Sequence, residues 1–234
     1  MSSESKIFVL PLSVRALSVA GVVILAVVMV VEAALGMLIF RTSWLVGLLA
    51  TLTAGFIAGL TVYCWRDMTG KLGLVVTIGK EGATFVLPKG RSLIHRPQAF
   101  AGTIPFSDML AIESRFEGYE TFGMAMMQRA YVLQTRSRGP IFLAEERALA
   151  TGLGTSYCEP LVAELKARSG APVRELGTVR AKGGVLGVWG AHAPDWATSP
   201  LPRESADRLW RHAAATGSLV MLLMLIVSGL MALS

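Results

Sequence analysis

Charge and cysteine are both scarce in this chain. Only 16% of its 234 residues are Asp, Glu, Lys or Arg, where about 25% is ordinary for a water-soluble domain. With 53% hydrophobic residues, the composition excludes intrinsic disorder and points to a bilayer. Two cysteines, Cys64 and Cys158, are too few for a disulfide scaffold and lack CxxC spacing. The three histidines, His95, His192 and His212, are far apart with no i, i+4 partner, which is the wrong pattern for a metal or haem site.

Enzymatic signatures are missing too. Gly152-Leu-Gly154 begins a dinucleotide fingerprint, but the third position is Tyr157. Gly184, Gly187 and Gly190 lack the Lys-Ser/Thr of a phosphate loop. No nucleophile, base or metal set accompanies them, so the expectation is a non-enzymatic protein without a cofactor.

Three apolar runs stand out instead. Ala16 to Phe40 has one charge, Glu32; Trp44 to Trp65 has none and ends in tryptophan on both sides; Ala213 to Leu233 also has none. Each reaches the roughly 20 residues that a hydrocarbon core requires. Arg41-Thr-Ser43 is so short that the first two runs must form an antiparallel hairpin. Val31-Glu-Ala33 loosely fits a signal-peptide cleavage site, but the run around it exceeds an apolar region of about 7 to 15 residues, so an uncleaved anchor is expected. Lys6, Arg15, Arg66, Lys71, Arg203, Arg208 and Arg211 flank the runs on one side and only Arg41 on the other. The positive-inside rule then puts residues 1–15 and 66–212 in the cytoplasm and the C-terminus outside.

Residues 66–212 carry 19 Lys+Arg against 14 Asp+Glu. That excess suits a surface of anionic phospholipid, at about 1 kcal/mol per basic residue, and is too small to argue for nucleic acid. Leu74-Val-Val-Thr-Ile78 and Ala83-Thr-Phe-Val-Leu87 flank Gly79-Lys-Glu-Gly82, a hairpin signal. Ser92 to His95, Gly102 to Phe106 and Met109 to Phe116 continue the meander, and Gln128 to Thr135 faces Pro140 to Leu143 across Arg136-Ser-Arg-Gly139. Ser156-Tyr-Cys-Glu159 has the form of a capping box. It opens a helix with Cys158, Leu161, Val162 and Leu165 on one face, ended by Gly170 and Pro172.

Short antiparallel strands closed by one amphipathic helix make Leu72 to about Val173 similar to bacterial pleckstrin-homology-like (PH-like) domains. The resemblance rests on Ile104-Pro-Phe-Ser-Asp-Met-Leu-Ala-Ile-Glu-Ser114 and on the helix Glu159 to Ser169. Gly79-Lys-Glu-Gly82 stands where many such domains carry an Asn-Arg-Arg turn. Two spans, such a domain and a third span also resemble the arrangement of photosynthetic reaction-centre assembly proteins. The resemblance implies a membrane protein of α plus β class: three transmembrane helices with a PH-like antiparallel β-barrel capped by one C-terminal helix. It further implies an accessory or assembly subunit of a bacterial inner-membrane protein complex, a lipid-headgroup-binding regulator being the alternative.

The expected divisions are a cytoplasmic N-terminus (1–15), a hairpin (16–65), the PH-like domain (66–175), a Gly/Pro/Trp connector (176–202) and a third span with its juxtamembrane segment (203–234). Candidate partner-binding residues are Phe122, Met124, Met126 and Met127, since Met-rich loops adapt to partners. The loop Gly118 to Met127 is a docking loop if exposed and a barrel plug if folded inward. Trp189 and Trp196 in the connector suit interfacial packing or a partner. Gly55-Phe-Ile-Ala-Gly59 has the small-xxx-small spacing of close helix contacts in lipid, made with the first span inside the hairpin or, as the lesser expectation, with another protein. Glu32 needs a partner or a proton, supplied by another subunit or by a neighbouring helix through Thr51 or Thr53. Candidate lipid-binding residues are Lys71, Lys89, Arg91 and Arg96 around an open barrel end, with Arg66 at the second span and Arg208 and Arg211 at the third.

Overall fold

The two uninterrupted apolar runs near the start form two 29-residue helices, α1 (Leu12–Phe40) and α2 (Trp44–Leu72). At 1.5 Å per residue each is about 43 Å long, against a hydrocarbon core of about 30 Å. Both are apolar enough to cross a membrane. The computed structural model describes residues 5–41, 43–92, 94–95, 97–121, 123–147, 157–181 and 196–233. Phe122, Trp189, Arg96 and the capping serine Ser156 lie outside them. The helices cross where Gly36 faces Ala50, whose Cβ would sit 3.3 Å from a Cβ added at Gly36. Added Cβ atoms at Gly55 and Gly59 would meet nothing within 4 Å, so the small-xxx-small face is not the α1–α2 contact.

The hairpin is inserted into a sheet. β1 (Lys6–Val9) precedes it and pairs antiparallel with β2 (Val75–Ile78), Lys6 opposite Ile78 and Val9 opposite Val75. Thus residues expected to be a cytoplasmic tail form an edge strand, and Lys6 Nζ reaches Glu164 at 2.8 Å. β3 (Gly82–Leu87) and β4 (Phe100–Pro105) complete the first sheet in the order β1-β2-β3-β4. β5 (Met109–Thr121), β6 (Met124–Thr135) and β7 (Gly139–Arg147) form an antiparallel meander. β8 (Val173–Arg180) joins it parallel to β5, giving the order β7-β6-β5-β8. The second sheet therefore runs past residue 175 into the segment read as connector, and the protein has α plus β character with one antiparallel and one mixed sheet.

Strict alternation in β3, with Ala83, Phe85 and Leu87 buried and Thr84 and Val86 exposed, turns one face to the core. There Val76, Ile78 and Ile104 share a cluster with Ile112, Tyr131 and Leu133 of the second sheet. α3 (Glu159–Ser169) closes it with Leu161, Val162 and Leu165, the face expected from the spacing, and ends at Gly170 with φ 70°. Its N-cap is Cys158 without a side-chain cap; the free Cys158 N–H donates to Glu146 Oε1 at 2.6 Å. A carboxylate from β7 thus serves the helix start where a local capping box was expected. α4 (Arg203–Leu233) begins against β6, with Leu209 and Ala213 packed on Ala125 and Met127, and continues through the last apolar run.

Two other expectations are corrected. Ser92 to His95 is not a strand: Ser92 Oγ donates to Glu145 and accepts the His95 N–H at 2.9 Å, which bends the chain inward. Gly118 to Met127 is not a loop, because β5 and β6 extend to a turn at Gly123, φ 75°.

Candidate functional site

The last turns of α2 leave the apolar run and enter the sheet domain through a buried polar seam. α2 meets the 3-10 turn Lys89–Arg91 backbone to backbone: a Cβ at Gly70 would lie 2.1 Å from the Gly90 carbonyl. Only glycine fits there. One turn earlier, Asp67 accepts from Lys71 Nζ at 2.7 Å and from Arg147 Nη2 at 3.0 Å. Arg147 Nε also donates to Glu145 at 2.8 Å, and the other Glu145 oxygen accepts from Ser92. A charge relay of alternating sign thereby runs from α2 through β7 to the segment after β3.

Beside it, Glu117 on β5 is fully buried. Its Oε2 lies 2.6 Å from His95 Nε2 and accepts from Tyr119 and Gln128, both at 2.7 Å. Its Oε1 faces Arg115, with Nε at 2.9 Å and Nη2 at 2.8 Å. Burial pushes its pKa upward, but the His95 and Arg115 charges and these hydrogen bonds outweigh it and bring it down to about 2. Burial and the neighbouring Glu117 charge hold the Tyr119 hydroxyl far above the usual phenol range. Tyr119 and Ile94 pack with Tyr63 of α2, so the seam touches the helix at two levels. With its acceptors occupied, Glu117 is suited to locking strands and helix together.

The residues singled out from sequence are dispersed. Met127 is buried against α4, Met126 is half-buried beside Tyr119, and Met124 is 38% exposed. The exposed docking loop is therefore replaced by a packed hairpin tip, pinned by His212 through Gly123 O at 2.9 Å and Glu120 at 3.1 Å. Trp196 packs on Ala130, Val132 and Phe142 of the second sheet, and Arg115 lies 3.9 Å above its ring. Lys71 is spent on Asp67 and Arg91 is 5% exposed, so neither stands on an open basic rim, whereas Lys89, Arg208 and Arg211 are exposed and Arg66 is half-buried. Thr51 and Thr53 donate to their own helix, at Gly47 O and Leu49 O, and neither reaches Glu32. Among the described residues Glu32 makes no hydrogen bond or ion pair. Also among them, no group of three or more His, Cys, Asp or Glu is arranged to hold a metal ion.

The seam escaped sequence reading. Glu113, Arg115 and Glu117 alternate on one strand face, a pattern ordinarily given to solvent, and their partners come from four other segments. The available signal was an Arg between two Glu at period two, followed by Tyr119 at the same period.

Comparison with known proteins gives no matching family model, no matching curated protein and no matching solved structure.

Proposed function

We propose that this chain is a non-enzymatic accessory or assembly subunit of a bacterial inner-membrane protein complex. In this reading three helices cross the bilayer and hold a PH-like domain against the cytoplasmic leaflet. The observation that carries it is the unpartnered Glu32 carboxylate inside an apolar helix. Such a group is disfavoured in hydrocarbon unless a donor or cation reaches it. A helix of a partner membrane protein, docking on the open Gly55–Gly59 face and carrying a polar side chain, supplies that donor.

Other features support the assignment. Four antiparallel strands, then three, then a helix follow the order of a PH-like domain. Pairing of β1 with β2 keeps both ends of the hairpin on one side of the bilayer, in agreement with Lys6, Arg15, Arg66 and Lys71 lying together. The uncharged stretch of α4 from Ala213 is long enough to be the third span.

A photo-crosslinking residue at Gly59, activated in native membranes, tests the proposal. The expected result is one adduct with a second membrane protein, lost in Glu32→Leu. No adduct, an adduct at twice 25.0 kDa, or one indifferent to Glu32→Leu would overturn it. The lipid-regulator reading draws on the exposed Arg208 and Arg211 just before the apolar stretch of α4. It is favoured instead if neutralising both abolishes a preference for phosphatidylglycerol over phosphatidylcholine nanodiscs.

A further inference from the structure

Arg91 is the exception among the enclosed arginines. Arg115 meets Glu117 at 2.8 Å, Arg147 meets Asp67 at 3.0 Å, and Arg129 meets Glu159 at 3.5 Å. Arg91 is 5% exposed and, among the described residues, has no carboxylate within ion-pair distance. Its Nε donates to Phe142 O at 2.9 Å and its Nη1 to Leu87 O and Pro88 O at 3.1 and 2.7 Å. Those three bonds leave the two donors of Nη2. Carbonyl dipoles hold the guanidinium in place without neutralising it, and a buried cation without a counter-charge is disfavoured. Burial accordingly lowers its pKa to about 10, with no acid to offset the effect.

Beside this cation lies a cleft of about 400 Å³, within the range of small-molecule sites. Phe100, Val132, Ile141 and Phe142 give it apolar walls, and Trp196 forms another. Among the described residues the buried Trp196 indole Nε1 has no acceptor. Arg138, over the Phe100 ring at 5.4 Å, adds a second cation to the lining. Two guanidinium groups and Gln98 on a cleft with mostly apolar walls form one recognition pattern: an oxyanion at one end of an apolar body.

We propose that this cleft binds an amphiphilic anion, a carboxylate or phosphate carried on an apolar tail, with Arg91 and Arg138 taking the anion and Phe142 and Trp196 the tail. A fatty acid and an anionic phospholipid both present this chemistry. The site lies between β6 and β7 of the second sheet and the segment that leads into β4, apart from the membrane face assigned to a partner helix, so either proposal can fail alone.

Quenching of tryptophan fluorescence in the full chain tests it, with the Trp196 component taken as the difference from Trp196→Phe. The probes are dibromostearate added to detergent-solubilised protein, and brominated phosphatidylglycerol or phosphatidylcholine in nanodiscs. Saturable quenching by dibromostearate identifies a free amphiphile, and by phosphatidylglycerol alone a membrane lipid; either supports the site. Binding should weaken at least tenfold in Arg91→Gln and severalfold in Arg138→Gln, whose exposed side chain can be changed without disturbing the fold. The proposal is overturned if quenching fails to saturate, is equal with phosphatidylcholine, or survives unchanged in Arg138→Gln.

Discussion

α2 is held in two different ways along its length. From Trp44 to about Val62 it touches α1 through small residues and leaves most large side chains outward, the arrangement expected of a helix apolar enough to cross a membrane. From Tyr63 to Leu72 it is gripped by charge: Asp67, Lys71 and Arg147 converge, and Gly70 sits on Gly90. The difference shows where directional contacts are used. In hydrocarbon, packing tolerates a range of rotations, whereas buried ion pairs and a backbone contact fix one orientation of the helix relative to the sheets.

The strongest way to break that contrast is Glu117→Ala. It removes the carboxylate that Arg115 and His95 share in the interior, and removing one partner of a buried charge pair costs about 3–5 kcal/mol. Thermal unfolding of the detergent-solubilised chain should show it, while Glu32→Ala leaves stability nearly unchanged. Acid gives a second, slightly smaller effect. Glu117 is held below its ordinary 4.5, at about 2, so its contribution is complete above pH 4.5 and fades as pH falls from there through 2. At about 1.4 kcal/mol per unit this is worth about 3 kcal/mol. The stability gap between the native chain and Glu117→Gln should close as pH falls across that interval.

Gly70→Val sharpens the comparison within one helix. Its side chain would collide with the Gly90 carbonyl, costing about 1–3 kcal/mol, whereas Gly55→Val meets nothing in the isolated protein. Equal losses at the two positions, measured by the same unfolding assay, would show that the seam does not single out the lower half of α2. The smallest effect belongs to Lys6→Ala, which removes an exposed pair with Glu164. Only a small loss is expected, and it should vanish in high salt.

Much of this architecture is legible locally. The turn Gly79-Lys-Glu-Gly82 announces β2 and β3, the spacing of Leu161, Val162 and Leu165 gives the buried face of α3, and both hairpin helices follow from unbroken apolar runs. What stays hidden depends on distant partners. Lys6 to Val9 is too short to declare itself a strand until Val75 to Ile78 lies alongside. Met124 to Met127 has the composition of an adaptable loop, and α4 makes it a strand end by covering Met127. The Arg115–Glu117 pair resembles a solvated surface because a local pattern carries no information about His95 or Gln128 arriving from elsewhere. Arg91 is misleading in the opposite sense. Neighbouring basic residues suggest a charged rim, whereas its three carbonyl partners draw it inside.

The strand ahead of the hairpin imposes an order of events during synthesis. Lys6 to Val9 leaves the ribosome first, yet its neighbour in the sheet follows only after both apolar helices have been translated. The edge strand must therefore wait, unpaired, until both helices have been made. Completion of the first sheet then requires the two ends of the hairpin to lie together, and a chain in which the second helix failed to turn back on the first would be left with an open β edge.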